Sequence, residues 1–382
     1  MKEYLLVSMM SAAGTYVLSP VWRWVALRLH AVARVRDRDV HTVETPYFGG
    51  IAMIFGVSIA FLIARHLPFL GSQPVVDTDA ERVLLAAAVI CAVGVLDDIV
   101  ELGPLSKLAG QVLAAGLLVA AGIRMYYIPL DNNTIALDKP TQTVLTIFFV
   151  LLCANAVNYV DGLDGLACGI VGIGAFAFLI YSYDLAVRQH LERATTSSLI
   201  TVAVVGACVG FLPHNFQPAR MFMGDSGSML LGFLLATSTI TLTGQIDSSQ
   251  LQGAGLIPTY LPLLLPLAVL ALPILDFALA FIRRTYRGNW WFVADKQHLH
   301  HRLIQQGHSV RRAVLLMYTW TALVCAGVIV LAWLRVWEVT AAIGLAVVGL
   351  SIFALGRPTS LRWLLPWKRL NDRPDVKPLN DK

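Results

Sequence analysis

The chain has 382 residues, of which 57% are hydrophobic and 14% charged, and its mean hydropathy is +0.68. Soluble domains carry about 25% charged residues, so this composition excludes an ordinary soluble protein and predicts one that crosses a membrane several times. The formal net charge of +5 comes mostly from arginine and lysine in a few loops and the tail. Such clusters orient membrane proteins and contact lipid headgroups, so we expect membrane lipid but no nucleic acid as a partner.

Apolar runs of membrane-spanning length recur along the chain. A helix needs roughly 20 apolar residues to cross the hydrocarbon core. We therefore predict an all-α polytopic membrane protein of one transmembrane domain, 1–356, followed by a basic tail, 357–382. About eleven transmembrane helices are expected, at 4–27, 48–66, 81–96, 105–123, 142–157, 166–187, 196–212, 228–244, 261–282, 313–334 and 337–356.

The loops between these runs form two sets when they are assigned alternately to the two membrane faces. One set carries most of the lysine and arginine residues, and it consists of 28–47, 97–104, 158–165, 213–227, 283–312 and the tail. By the positive-inside rule this set is cytoplasmic, which places the N-terminus outside and the C-terminus inside. The polar motifs lie in the same set, so we expect a site at the cytoplasmic face. A transporter, the alternative class, would more naturally place its polar groups at mid-membrane in broken helices.

A polar segment, Gly224-Asp225-Ser226-Gly227-Ser228, opens the eighth apolar run. The start of a helix offers free N–H groups and a positive dipole end to phosphate. Asp225 adds a hard oxygen ligand of the kind that Mg²⁺ prefers. We hypothesise that Asp225 holds a metal–pyrophosphate group. A simple helix cap explains the same residues equally well.

Adjacent acids, Asp97 and Asp98, end the third run. Successive helical residues point about 100° apart, so we expect the two carboxylates to serve different partners. One would face a phosphate or metal, and the other a neighbouring helix or Lys107. A solvated helix end is the alternative.

Polar residues recur every third position after the fifth run, at Asn155, Asn158, Asp161 and Asp164. On a helix this spacing places them along one side. Amides and carboxylates in such a row can bind a base edge, ribose hydroxyls or a hydrated metal. A helix C-cap followed by a solvated loop would explain the neighbouring glycines, but not four aligned polar groups.

The longest predicted cytoplasmic loop contains His298, His300, His301 and Arg302. A helix would gather His298, His301 and Arg302 on one side, and these donors suit a pyrophosphate. A zinc site is the competing interpretation, although its usual thiolate partners are absent nearby. A basic loop that binds lipid headgroups is the third.

Taken together and in chain order, these motifs resemble those of the polyprenyl-phosphate N-acetylhexosamine-1-phosphate transferase superfamily, the glycosyltransferase 4 family. The matching segments are TP-x-x-GG at 45–50, DD at 97–98, NAVNYVDGLDGLA at 155–167, FMGDSGS at 222–228 and HLHHRL at 298–303. The DGLDG and GDSGS segments in this order are highly specific. The HxHHR form is similar to the bacterial branch that transfers GlcNAc-1-phosphate, whereas the phospho-MurNAc-pentapeptide branch, which stays an alternative, typically has three consecutive histidines.

The resemblance implies a Mg²⁺- or Mn²⁺-dependent enzyme of the bacterial inner membrane. It would transfer GlcNAc-1-phosphate from UDP-GlcNAc to undecaprenyl or decaprenyl phosphate and release UMP, as the first membrane step of a cell-envelope polysaccharide pathway. The homodimer is an expected assembly. The implied residue roles are Asp225 as the metal ligand, Asp97 with Asp98 at the lipid phosphate, Asn155, Asn158, Asp161 and Asp164 around the nucleotide, Phe222 stacked on uracil, and His298, His300, His301 and Arg302 at the pyrophosphate or sugar.

The first cytoplasmic loop departs from the family pattern. That branch often has a lysine two positions before the loop histidine, His41, and here the position is Asp39. The lysine's role therefore does not carry over, and Arg38 or Arg36 is the candidate to replace it in substrate binding.

Overall fold

In this computed structural model the described residues are 1–33, 44–130, 133–188, 191–243 and 308–330, together with Gly344 and Gly349. The helices of this part are α1 (Lys2–Arg28), α2 (Gly49–Ala64), α3 (Pro74–Val100), α4 (Pro104–Ala120), α5 (Lys139–Val160), α6 (Leu166–Arg188), α7 (Glu192–Asn215), α8 (Gly224–Thr243) and α9 (Val310–Val330). The predicted helical architecture is confirmed for these residues.

Two short antiparallel sheets correct the expectation of a purely helical chain. Strand β1 (Val32–Ala33) pairs with β2 (Thr45–Pro46), and β3 (Tyr127–Leu130) pairs with β4 (Asn133–Ala136). Branched and aromatic residues such as Tyr127, Ile128 and Ile135 favour extended backbone, and they lie between helices where no apolar run of helical length exists.

Six of the described helices are long and apolar enough to cross a membrane, namely α1, α3 from Thr78, α5, α6, α7 from Arg193 and α9. Two shorter apolar helices, α2 and α4, accompany them. The chain is therefore a mostly helical polytopic membrane protein. The first eight predicted runs and the tenth coincide with described helices. The ninth lies outside the described residues, as does the eleventh apart from two glycines, so the count of eleven stays a prediction.

Helices α7 and α8 lie at the centre of the assembly. Helix α7 contacts α1, α2 and α6, and α8 contacts α3, α5 and α7. Glycines make the close approaches, since a Cβ on Gly206 or Gly210 of α7 would overlap the backbone of α1. Small residues at such positions are typical of membrane helices, whose association depends on close packing rather than on water exclusion.

The end of α3, the start of α4, the end of α5 and the start of α8 meet at one end of the assembly. Lys107, in the first turn of α4, contacts side chains from the other three helices. The opposite end holds the start of α3 and the connection between α2 and α3. The polar motifs that the structure describes, at 97–98, 155–165 and 224–228, thus gather at one end of the helices.

Candidate active site

Asp98 caps helix α8. Its Oδ1 accepts a hydrogen bond from the N–H of Asp225 at 2.7 Å, and its Oδ2 accepts one from the N–H of Ser226 at 3.3 Å. Gly224 makes this approach possible, because its φ is +69° and a Cβ there would crowd the Asp98 carboxylate. We expected free N–H groups at the start of α8 to bind phosphate. The N–H groups of Asp225 and Ser226 instead donate to Asp98.

Asp97 points to a different partner. Its Oδ2 lies 2.9 Å from the Nζ of Lys107, and its Oδ1 accepts a hydrogen bond from the N–H of Leu102 at 2.7 Å. Lys107 also forms an ion pair with Asp225. The divergence of Asp97 and Asp98 expected from helix geometry is confirmed, and Asp97 and Asp225 share a single ammonium group.

Asn158 completes this cluster. Its Nδ2 donates to Asp225 Oδ1 at 2.7 Å and to Ser228 Oγ at 2.9 Å, and its Oδ1 accepts from Lys107 at 3.4 Å. Asn155, one turn earlier on α5, forms a reciprocal amide pair with Gln111 of α4 instead. We define the charged cluster as Asp97, Lys107, Asn158 and Asp225, and Asn155 is not a member of it.

The expected row of polar residues ends with the helix. Because α5 ends at Val160, Asp161 is its C-cap and Asp164 lies in the following turn. Asp164 accepts a hydrogen bond from the N–H of Ala219 at 3.0 Å and so ties this turn to the segment before α8. Asp161 forms no side-chain hydrogen bond or ion pair within the described part of the chain. Its burial, with the negative charges of Asp225, Asp98 and Asp164, holds its pKa well above the usual value.

Phe222 is fixed through its backbone by the segment that begins α2. Its N–H donates to the carbonyl of Pro46 at 2.9 Å, and its carbonyl accepts from the N–H of Gly49 at 3.1 Å. A Cβ on Gly49 or Gly50 would overlap the chain at 223–227, so these glycines let α2 lie directly on the start of α8. The Phe222 ring is half-buried, with its centroid 6.3 Å from that of Tyr47.

Several residues of this site were not predicted as members of it. From the sequence, Lys107 was named only as a partner of the acidic pair, and Gln111 and Asn215 were not named. Lys107 and Gln111 are polar side chains four positions apart on a mostly apolar helix, which was a usable signal. The remaining predicted residues, Arg38, His41, His298, His300, His301 and Arg302, lie outside the described residues.

The donor chemistry suits a hard divalent cation. Asp97 and Asp225 already converge on one positive charge, the ammonium of Lys107. Carboxylate oxygens are the ligands that Mg²⁺ takes. Among the described residues, however, no group of three or more histidine, cysteine or acidic side chains has metal-binding geometry. The carboxylate oxygens are of the type that Mg²⁺ takes, and Asp225, which shares Lys107 with Asp97, is the residue that would hold the ion.

The fold and the charged cluster define a polytopic helical membrane protein with an acidic site at one end of its helices. The model of glycosyl transferase family 4 matches residues 82–243, which include every member of that cluster. The chain is 43% identical over 332 residues to the decaprenyl-phosphate N-acetylglucosaminephosphotransferase of Mycobacterium tuberculosis, covering 86% of this chain and 82% of that protein. The chain belongs to glycosyl transferase family 4.

Two further relatives represent two branches of the family. A probable undecaprenyl-phosphate N-acetylglucosaminyl 1-phosphate transferase of Bacillus subtilis is 30% identical over 305 residues, or 79% of this chain and 77% of that protein. A phospho-N-acetylmuramoyl-pentapeptide-transferase of Desulforudis audaxviator is 32% identical over 283 residues, or 66% of this chain and 82% of that protein. The likeness to the mycobacterial protein is both higher and longer, so it favours the N-acetylglucosamine branch.

Proposed function

We propose that this protein transfers GlcNAc-1-phosphate from UDP-GlcNAc to a polyprenyl phosphate, giving polyprenyl-diphospho-GlcNAc and UMP. The observation that carries the proposal is the charged cluster, Asp97, Lys107, Asn158 and Asp225, in a chain 43% identical to a protein named for this transfer. The cluster contains groups for anionic substrates and a cation, and it lies at a helix end where a soluble donor and a lipid acceptor can meet.

The reaction exchanges one phosphoanhydride bond for another. An oxygen of the lipid phosphate attacks the phosphorus next to GlcNAc, a new P–O bond forms, and the bond to UMP breaks with the electron pair leaving on UMP. Such transfers depend on positioning and charge neutralisation more than on covalent help from the protein. The lipid phosphate is already ionised near neutral pH, so Asp97 serves to orient it through Lys107 rather than to deprotonate it.

Each member of the cluster has a distinct part in this scheme. Lys107 offers its ammonium to the phosphate oxygens, and Asp97 fixes the position of that ammonium. Asn158 holds the Asp225 carboxylate in place through its amide donor. Asp225, which shares the ammonium of Lys107 with Asp97, would hold Mg²⁺. A bound Mg²⁺ neutralises charge on a diphosphate and on its leaving group.

The location of the reaction is part of the same proposal. We place the charged cluster at the cytoplasmic face of the bacterial inner membrane, with the N-terminus outside and about eleven spans in all. Phe222, fixed next to the cluster by β2 and α2, would stack on uracil. The histidines at 298, 300 and 301, with Arg302, His41 and Arg38, would contact the sugar or phosphates, and a homodimer is the expected assembly.

A radiolabelled transfer assay tests the proposal. Purified full-length protein is given UDP-GlcNAc with undecaprenyl or decaprenyl phosphate, with Mg²⁺ or with EDTA, and lipid-linked product and UMP are measured together. Stoichiometric product and UMP that vanish with EDTA are expected. UDP-MurNAc-pentapeptide as the preferred donor would move the protein to the pentapeptide branch, which the Desulforudis relative represents. Solute flux in proteoliposomes without UMP release would instead identify a transporter.

A further inference from the structure

We infer that Asn215, at the C-terminal end of α7, is a positioning residue that joins the two loops of the site. One is the loop 161–165, which carries Asp161 and Asp164. The other is the loop 216–223, which leads through Phe222 to Asp225. The inference adds a residue outside the charged cluster to the proposed function, and its turnover arm rests on that function.

The Asn215 side chain uses both of its polar atoms to bridge these loops. Its Oδ1 accepts a hydrogen bond from the N–H of Gly165 at 3.1 Å, and its Nδ2 donates one to the carbonyl of Met221 at 3.0 Å. The side chain is 2% exposed, so water does not substitute for either bond. A primary amide is a side chain that offers a donor and an acceptor at this spacing.

Asn215 lies at the hydrogen-bonded end of a helix. Asn215 is the last residue of α7, and the following residue still returns its N–H to the carbonyl of Leu212 at 2.7 Å. The same two loops are linked again, because Asp164 accepts a hydrogen bond from the N–H of Ala219 at 3.0 Å. Gly165 has a second partner, because its carbonyl accepts a hydrogen bond from the hydroxyl of Tyr318 in α9. Gly165, with φ of +78°, is therefore held from both sides.

Short stretches of chain join the two residues that Asn215 contacts to Asp161 and Asp225. Gly165 lies four residues after Asp161, and Met221 lies four residues before Asp225. The amide of Asn215 therefore sets where Asp161 lies relative to Asp225. A displacement of about 1 Å in a group that aligns reactants can reduce the rate by about 10²-fold.

Hydrogen exchange and turnover together test this inference in the full-length protein. In Asn215→Ala, we expect exchange of the amides in 163–166 and 219–224 to accelerate about tenfold or more, because their hydrogen-bonded loops open locally. We expect kcat to fall about 10²-fold while the KM for UDP-GlcNAc changes less than about threefold. In Asn215→Asp, Gly165 keeps its acceptor while Met221 loses its donor, so the acceleration should be larger in 219–224.

The matched control is Gln142→Ala at the opposite end of the helices. Gln142 is also a buried amide, and it donates to the carbonyl of Leu137 at 2.7 Å. Its loss should accelerate exchange only around its own loop and leave kcat within about twofold, since it supports no loop of the site.

Three results would overturn the inference. They are unchanged exchange at 163–166 and 219–224 in both Asn215 variants, faster exchange with kcat within twofold of wild type, and an equal loss of kcat in Gln142→Ala. If Asn215→Ala does not fold, the isosteric Asn215→Asp decides by the same criteria. If the wild-type protein shows no transfer, the proposed function fails, and the exchange experiment alone still decides whether Asn215 joins the loops.

Discussion

The two ends of the helical assembly use acidic residues differently. At the start of α3, Asp79 is 2% exposed and lies 3.2 Å from Arg193 and 3.7 Å from Arg82. Nearby, both oxygens of Glu3 accept backbone N–H groups, from Phe69 and Leu70, at 2.9 Å each. Asp79 and Glu3 thus each have partners that they share with no other acid described at this end.

At the end of α3, the acidic side chains outnumber the positive charges that pair with them. Asp97 and Asp225 share the ammonium of Lys107, and Asp98 has backbone N–H groups as its partners. Asp161 adds a carboxylate with no bonded partner among the described residues. An acid with its own cation stabilises a structure, whereas several acids around one cation leave negative charge that another cation can neutralise. Charge balance, more than residue type, therefore separates the candidate site from the structural end.

Asp225→Asn gives the largest expected effect. The substitution keeps the shape and the acceptor for Asn158 but removes the charge that would hold Mg²⁺, so we expect transfer to fall at least about 10³-fold. Initial rates with saturating UDP-GlcNAc and polyprenyl phosphate measure this, with elution volume and thermal midpoint as controls for folding. Near-normal turnover in a folded variant would refute the metal role of Asp225.

Asp97→Asn should have the second largest effect. The amide cannot attract the Lys107 ammonium as a carboxylate does, so the position of that ammonium is lost during the reaction. We expect kcat to fall about 10²-fold, with little change in the dissociation constant of UDP-GlcNAc. Steady-state kinetics and equilibrium binding separate the two quantities. A loss of affinity with kcat maintained would assign Asp97 to the nucleotide instead.

Part of this site could be predicted from the sequence. Apolar runs located the first eight helices, and the acidic and amide motifs located Asp97, Asn158 and Asp225. Helices α3, α5 and α7 nevertheless continue beyond their apolar runs at both ends, and polar residues there have partners on neighbouring elements. Asp98, for example, lies within the last turn of α3 and caps α8.

The prediction that the polar residues from Asn155 to Asp164 share one side of a helix was wrong, because the helix ends before Asp161. Backbone bonds close a turn after Val160, so Asp161 and Asp164 leave the helix that carries Asn158. Asn215 was not predicted because its partners, Gly165 and Met221, become neighbours only when α6 and α7 pack together. A single asparagine at a helix end has no local feature that distinguishes a bridge from a solvated cap.

Lys107→Met sharpens the comparison between the ends by removing the shared cation. We expect kcat to fall about 30-fold, because a phosphate contact and the neutralisation of Asp97 and Asp225 are lost. The half-saturating Mg²⁺ concentration should fall as well, since the ammonium no longer competes for the same carboxylates. Mg²⁺ titrations of activity measure both, with the exposed Lys139→Met at the other end as the matched control. An unchanged or increased Mg²⁺ requirement would contradict competition between Lys107 and the metal.

Asp98 offers a smaller and graded effect. Asparagine keeps one of the two acceptor oxygens that Asp98 offers to the N–H groups of Asp225 and Ser226, whereas alanine keeps neither. We therefore expect Asp98→Asn to keep transfer within about tenfold of wild type and Asp98→Ala to lose more. Turnover and thermal midpoints of both variants are compared. If Asp98→Asn is as inactive as Asp225→Asn, the charge of Asp98 takes part in the reaction and its role exceeds capping.

Asp79→Asn should affect stability and leave turnover nearly unchanged, and it is the smallest expected effect on activity. The buried carboxylate loses its charge, whereas Arg193 and Arg82 have side chains that are 46% and 49% exposed and therefore accessible to water. Because removing one member of a partly exposed pair costs about 1 kcal/mol, we expect the thermal midpoint to fall by a few degrees and kcat to stay within about twofold. Thermal unfolding and steady-state rates of the same preparation measure this. A large loss of kcat would show that the far end is coupled to the charged cluster along α3, and the separation of a structural end from a reactive end would no longer hold.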